Sequence, residues 1–214
     1  MRGVILSSLA TGIALGTMCQ NLDAGVPPGY CPGLATRPMN EITSLWVRRF
    51  LPLIEAGGSV LDLACGKGRH ALLLAELGYR VEAVDRDAES LAGIAARAPG
   101  IVTRLADLEG GPWPYHARAF DGIVVTNYLF RPLLPLLLDA LDENGVLIYE
   151  TFMVGNERFG KPANPAFLLR PDELLEVVRP RLTVVAFEQG ETSVPRPAMV
   201  QRLCATRGLA PKLP

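Results

Sequence analysis

The stretch Val60-Leu61-Asp62-Leu63-Ala64-Cys65-Gly66-Lys67-Gly68-Arg69-His70 does most to limit what this chain can become. An apolar run closes on an acid, passes through two glycines and enters a helix-like run from Ala71 to Leu77. A second apolar run, Tyr79 to Val84, then closes on Asp85. Strand, Gly-rich turn, helix, strand and acid in that order form the opening βαβ unit of a nucleotide-binding fold.

The rest of the chain continues the alternation. Apolar spacing predicts a helix over Glu41 to Glu55, bent at Pro52 and ended by Gly57-Gly58. Strands are predicted at Ser59–Leu63, Arg80–Val84, Ile101–Leu105, Phe120–Thr126 and Val146–Thr151. Helices fall at Gly68–Leu77, Asp87–Ala98, Pro132–Leu141 and Asp172–Val178, with Asp142 to Gly145 read as a turn. Leu182–Gln189 and Ala198–Thr206 read as a closing hairpin. The expected class is α/β: a mostly parallel sheet with helices on both faces and an antiparallel pair at the end. Such a sheet binds ligands at the carboxyl ends of its parallel strands, where Asp62, Asp85, Asp107 and Asn127 fall.

Composition narrows the partners. A net charge of −1 in 214 residues, with no Lys/Arg-rich run, argues against nucleic acid and membrane surfaces. The 4 cysteines form no C-x-x-C pair and there are only 2 histidines, so no metal site is expected. Reduced thiols place the protein in the cytoplasm. Residues 1–38 are expected to be a flexible or dispensable extension, 39–207 the functional domain and 208–214 a tail. The apolar run Gly3 to Met18 is a poor signal peptide, because Met18 precedes Cys19 where a small residue belongs.

The glycines alone leave the nucleotide open. Gly66, Gly68 and Ala71 match G-x-G-x-x-G/A, so an NAD-binding unit is a rival. Asp62, just ahead of the turn, opposes a pyrophosphate and suits a ligand with an amine or a cation. Asp85 can hold two ribose hydroxyls, and Asp107 can accept from an adenine amine. Ribose, adenine, amine and sulfonium without phosphate describe S-adenosylmethionine.

V-L-D-L-A-C-G-K-G together with V-D-R-D, A-D-L-E and F-D-G-I-V-V-T-N resembles the class I S-adenosylmethionine-dependent methyltransferases from about Ile42 to Thr206. Within that class the chain is similar to the small tellurite-resistance-type bacterial enzymes, which share a Y-E-T-F strand end like Tyr149 to Phe152. The resemblance implies a Rossmann-like seven-stranded sheet of order 3-2-1-4-5-7-6, with strand seven antiparallel. It puts Asp62 and Gly66 by the methionine moiety and Gly68 where backbone approaches the ligand. Asp85 takes the ribose, Arg86 flanks the adenine, Asp107 and Leu108 form the adenine end, and Asn127 faces the reacting centre. The third Gly of many such turns is read as Arg69.

Tyr128, Arg131 and Glu150 are the catalytic candidates: the first two could position an anionic acceptor, and Glu150 could act as a base. Gly155 to Lys161 is a candidate lid. Cys65, His70 and Asp87 have plainer readings as a small packed side chain, a satisfied core histidine and a helix cap. The expected function is methyl transfer to a small molecule such as a thiol, a chalcogen oxyanion or a metabolite. No N-P-P-Y-type tetrad follows strand four, which argues against a nucleic-acid target. The rivals are an NAD-dependent oxidoreductase and a non-catalytic S-adenosylmethionine-binding module.

Overall fold

The computed structural model describes residues 42–208. The expectations for residues 1–38, and for nearly all of the tail, lie outside these residues.

Seven strands form one sheet in the order β3-β2-β1-β4-β5-β7-β6. They are β1 (Ser59–Leu63), β2 (Arg80–Asp85), β3 (Val102–Leu105), β4 (Phe120–Thr126), β5 (Leu141–Phe152), β6 (Thr183–Thr192) and β7 (Ala198–Thr206). Pairings among β1 to β5 are parallel, while β7 runs antiparallel to β5 and to β6. This is the architecture expected. Five helices accompany it: α1 (Leu45–Phe50), α2 (Arg69–Glu76), α3 (Ala88–Arg97), α4 (Leu134–Asp139) and α5 (Glu173–Val178).

The side-chain alternation of the central strands divides the core into two layers. Val60, Val124 and Ile148 pack with α1, α2 and α3 on one face. Leu61, Leu63, Ile123, Val125, Leu147 and Tyr149 pack with α4 and α5 on the other. Both sheet faces are therefore covered, which is why β1 and β4 are apolar almost throughout.

Three elements differ from expectation. The first helix covers only Leu45–Phe50, because Pro52 lacks the N–H that would continue it, and a 3-10 turn at Leu51–Leu53 follows. The turn at Asp142 to Gly145 lies inside β5 rather than before it. Leu141 already pairs with Phe120, and the next pair is Val146 with Gly122, so the intervening residues bulge out. The Asp142 carboxylate fastens the bulge by accepting from Glu143 N–H at 2.7 Å. The closing hairpin is longer than expected, with β6 reaching Thr192.

Among the described residues no helix is long and apolar enough to cross a membrane. Among them also, no cluster of three or more His, Cys, Asp or Glu could hold a metal ion.

Candidate active site

The parallel strands end along one edge, and two cavities open there. The first, about 510 Å³, is lined by Asp85 and Arg86 after β2, Asp107 and Leu108 after β3, and Asn127 and Tyr128 after β4. The second, about 650 Å³, lies over the turn at Cys65, Gly66 and Lys67 and reaches Glu150 and Arg202. Ala64, Asn127 and Phe152 line both.

The turn between β1 and α2 sets the geometry. Its amides are mostly spent within the protein. Cys65 N–H donates to Val84 O at 3.0 Å and Gly68 N–H to Cys65 O at 3.0 Å. Gly66 N–H donates to Asp85 Oδ2 at 2.8 Å, and Ala71 N–H to Asp62 Oδ2 at 2.8 Å. A dinucleotide site needs such amides for its pyrophosphate. Here two carboxylates occupy them.

Asp62 is 1 % exposed and lines neither cavity. Burial pushes its carboxyl up to about 7, opposed by the Ala71 N–H and the Arg69 charge. Where the resemblance puts Asp62 by the methionine moiety, the fold holds it buried beneath the turn, accepting from Ala71 N–H in the first turn of α2. Gly68 also lines neither cavity. A Cβ there would come within 2.5 Å of Ile94 Cγ1, so this glycine lets α2 pack on α3. At Gly66, by contrast, a Cβ would meet nothing within 4 Å, and the backbone opens onto the second cavity.

Asp85 uses one oxygen for Gly66 N–H and the other for Asp87 N–H at 3.0 Å. Each oxygen retains acceptor capacity toward the first cavity. The Asp107 carboxyl is held low by the N–H groups of Glu109 and Gly110. Asn127 takes a left-handed backbone with φ 56° and donates its N–H to Glu150 O at 2.9 Å. The Tyr128 hydroxyl is buried without a hydrogen-bond partner, and desolvation, with the Glu109 charge second, pushes its pKa up.

The other candidates separate. Glu150 is bound to Arg202 at 2.6 Å across the strand pair β5/β7, and Arg202 also reaches Glu188 at 3.6 Å. Arg131 lines neither cavity; it grips Glu173 at 2.7 Å. His70 is buried, accepts from Ser44 N–H at 3.0 Å through Nε2, and has Nδ1 3.3 Å from Thr126 Oγ1. Burial, with the Arg69 and Arg48 charges, drives its pKa down to about 3, so the ring is neutral. Asp87 caps α3 through Glu89 N–H at 3.1 Å, and Cys65 is a buried free thiol.

Residues 60–143 match the family model described as a methyltransferase domain. Over that segment the chain is similar to methyltransferase domains. Protein-L-isoaspartate O-methyltransferase of Chlorobaculum tepidum is 38% identical over 126 residues, 55% of this chain and 53% of that one. The chain thus spans about half the length of this curated relative. The solved structure of TehB from Haemophilus influenzae shares the fold with TM-score 0.64 at 20% identity, covering 78% of this chain and 62% of that one. A TehB-like SAM-dependent methyltransferase from Corynebacterium glutamicum superposes with TM-score 0.59 at 19% identity, covering 82% and 91%.

The residues of the site fit S-adenosylmethionine on their own geometry. Gly66 opens its bare backbone onto the second cavity, Asp85 has acceptor capacity for hydroxyls, and the Tyr128 hydroxyl is buried without a hydrogen-bond partner. Two features of the domain escaped the sequence. Ala64 has φ 52° and lines both cavities; it stands two residues before Gly66, so the turn has small residues at alternate positions, and that spacing was a usable signal. Phe167 lines the first cavity from the loop after β5, where no periodicity announces it.

Proposed function

We propose that this chain transfers the methyl group of S-adenosylmethionine to a small-molecule acceptor. The observation that carries the reading is the turn itself: Asp85 and Asp62 occupy the amides a pyrophosphate would use, while Asp85 still presents acceptors to a cavity of nucleoside size. On this reading Asp85 holds the ribose, Arg86, Asp107 and Leu108 surround the adenine, Gly66 and Asn127 flank the methionine end, and Asp62 and Gly68 support the turn from below.

When bound, S-adenosylmethionine supplies an electrophilic methyl carbon on a positively charged sulfur. The protein's work is alignment and exclusion of water, which can contribute about 7–11 kcal/mol. The second cavity is the acceptor side. Lys67, Arg69, Arg196 and Arg202 line it against one carboxylate, Glu150, which Arg202 already engages. Arg69 is half-buried and gives one N–H to Ile42 O at 3.2 Å. With Glu150 held by Arg202 and His70 by Ser44 and Thr126, neither is a free base, so the acceptor arrives ionised: a thiolate, a chalcogen oxyanion or an anionic metabolite. The free thiols Cys65 and Cys204 agree with a reducing, cytoplasmic setting.

Calorimetric titration with S-adenosylhomocysteine and with NADH tests the donor. Binding of NADH alone would replace this reading with the oxidoreductase. Donor consumption is then followed against thiols, oxyanions of selenium and tellurium, organic acids and isoaspartyl peptides. Turnover confined to the peptides would move the acceptor to protein, as the name of the Chlorobaculum relative states for that enzyme. Binding of the homocysteine ligand with no turnover on any acceptor would leave a binding module.

A further inference from the structure

The guanidinium of Arg131 makes more of this region than an ion pair. Its Nε donates to Glu173 Oε1 at 2.7 Å and its Nη2 to Glu173 Oε2 at 3.0 Å. The same group donates from Nη1 to Ala166 O at 2.9 Å and from Nη2 to Leu168 O at 2.9 Å. Those two carbonyls belong to the residues on either side of Phe167. One planar fork therefore fixes the 166–167 and 168–169 peptide groups, which bracket Phe167, and with them the backbone that carries its ring. Glu173, 2 % exposed at the start of α5, also takes Arg170 N–H at 2.8 Å, so the fork rests on a carboxylate that is itself held. Asn164 closes the turn by accepting from Ala166 N–H at 3.0 Å.

Phe167 has little to pack on. It is 48 % exposed, yet it lines the first cavity together with Arg86, Asp107 and Leu108. An aromatic ring carried by a fixed backbone into the lining of a cavity assigned to a purine nucleoside has the chemistry of a stacking wall. We infer that Phe167 is a wall against the adenine of the methyl donor and that Arg131 is the positioning residue that keeps it there. The inference rests on the donor reading above and concerns the same cavity. It gives Arg131 a task other than handling the acceptor, and it puts the covering segment at Phe167 over the donor rather than at Gly155 to Lys161 over the acceptor. Lysine cannot replace the fork, because a single ammonium cannot bridge one carboxylate and two separated carbonyls in a plane.

Calorimetry with S-adenosylhomocysteine and with adenosine tests this on the wild type, Phe167→Ala, Arg131→Lys and the double variant. Phe167→Ala should weaken both ligands about tenfold, the loss expected of one aromatic stack. Arg131→Lys should weaken them by a similar factor, and the double variant by no more than the larger single loss, since both act through one ring. In turnover the donor KM should rise while kcat stays within about twofold. Losses that multiply in the double variant would overturn the positioning role, and so would an Arg131→Lys protein that binds normally. Unchanged affinity for adenosine in Phe167→Ala would overturn the wall. Should Arg131→Lys not fold, Arg131→Gln takes its place, and Phe167→Ala, altering a half-exposed side chain, still decides the wall. A wild type that binds neither ligand defeats the donor reading itself, whereas a wild type that binds while both variants match it defeats only this inference.

Discussion

Asp85 carries two loads. It braces Gly66 and Asp87 within the chain and, on the proposed reading, accepts from the ribose. Asp85→Ala should lower affinity for S-adenosylhomocysteine about 100-fold, from two lost bonds to a charged acceptor, with calorimetry as the check. Asp62 carries one load, and its position makes that load depend on pH. Its carboxyl titrates at about 7 in the fold against 3.8 in an ordinary setting. The fold therefore binds the proton more tightly than the unfolded chain does. That contribution to stability is complete below about pH 3.8 and is lost as pH rises toward 7, at up to about 1.4 kcal/mol per pH unit. Asp62→Asn keeps an acceptor for Ala71 N–H and has nothing to titrate. Urea unfolding from pH 4 to 8 should show the wild type losing stability relative to this variant; parallel curves would mean that Asp62 does not take up the proton. His70 works in the opposite sense. Its pKa falls from 6.5 to about 3, so its contribution is present above about pH 6.5 and is lost as pH falls toward 3.

At the scale of elements, the turn from β1 into α2 is where backbone conformation is most constrained. Gly68 has φ 76° and Ile94 stands where its Cβ would go. Gly68→Ala should cost about 1–3 kcal/mol in urea unfolding through this collision. Ala64 holds a left-handed backbone that costs an L-residue about 1–2 kcal/mol. Ala64→Gly should therefore leave stability unchanged or raise it by about 1 kcal/mol, the extra freedom of glycine in the unfolded chain offsetting part of the gain. The elements themselves were largely legible. β1 and β4 have the bounds expected, because an apolar run buried on both faces and closed by polar residues admits one reading. Asp85, Asp107 and Asn127 line the first cavity because they follow or end strands, a placement legible in the sequence. The orientation of Asp62 was not legible: a residue inside the last two positions of a strand points to one face or the other, and only the packing of α2 decides which. The partners of Arg131 were not legible for a related reason. Its neighbours Ala166, Leu168 and Glu173 are more than thirty positions away, and their spacing encodes no pairing.

For the whole molecule, the sheet separates two cores that meet only through its backbone. Ile123 belongs to the core under α4 and α5, and Ile101 to the one under α2 and α3. Ile123→Val and Ile101→Val should each cost about 0.5–1.5 kcal/mol, and the double variant should match their sum within about 0.5 kcal/mol in one cooperative transition. Unequal midpoints from fluorescence and circular dichroism would instead mean that the two sides melt separately. One side chain spans from α2 to both walls of the second cavity. His70 receives the Ser44 amide on one ring nitrogen and lies beside Thr126 with the other. Ser44 and Thr126 both line that cavity, yet the ring itself does not. On the proposed reading, an acceptor entering there touches groups that the imidazole holds from behind. The two ring nitrogens therefore form a built-in spectroscopic gauge: their ¹⁵N resonances should move when an acceptor binds and stay in place when adenosine alone fills the neighbouring cavity, reporting occupancy of the unknown subsite before any product is identified.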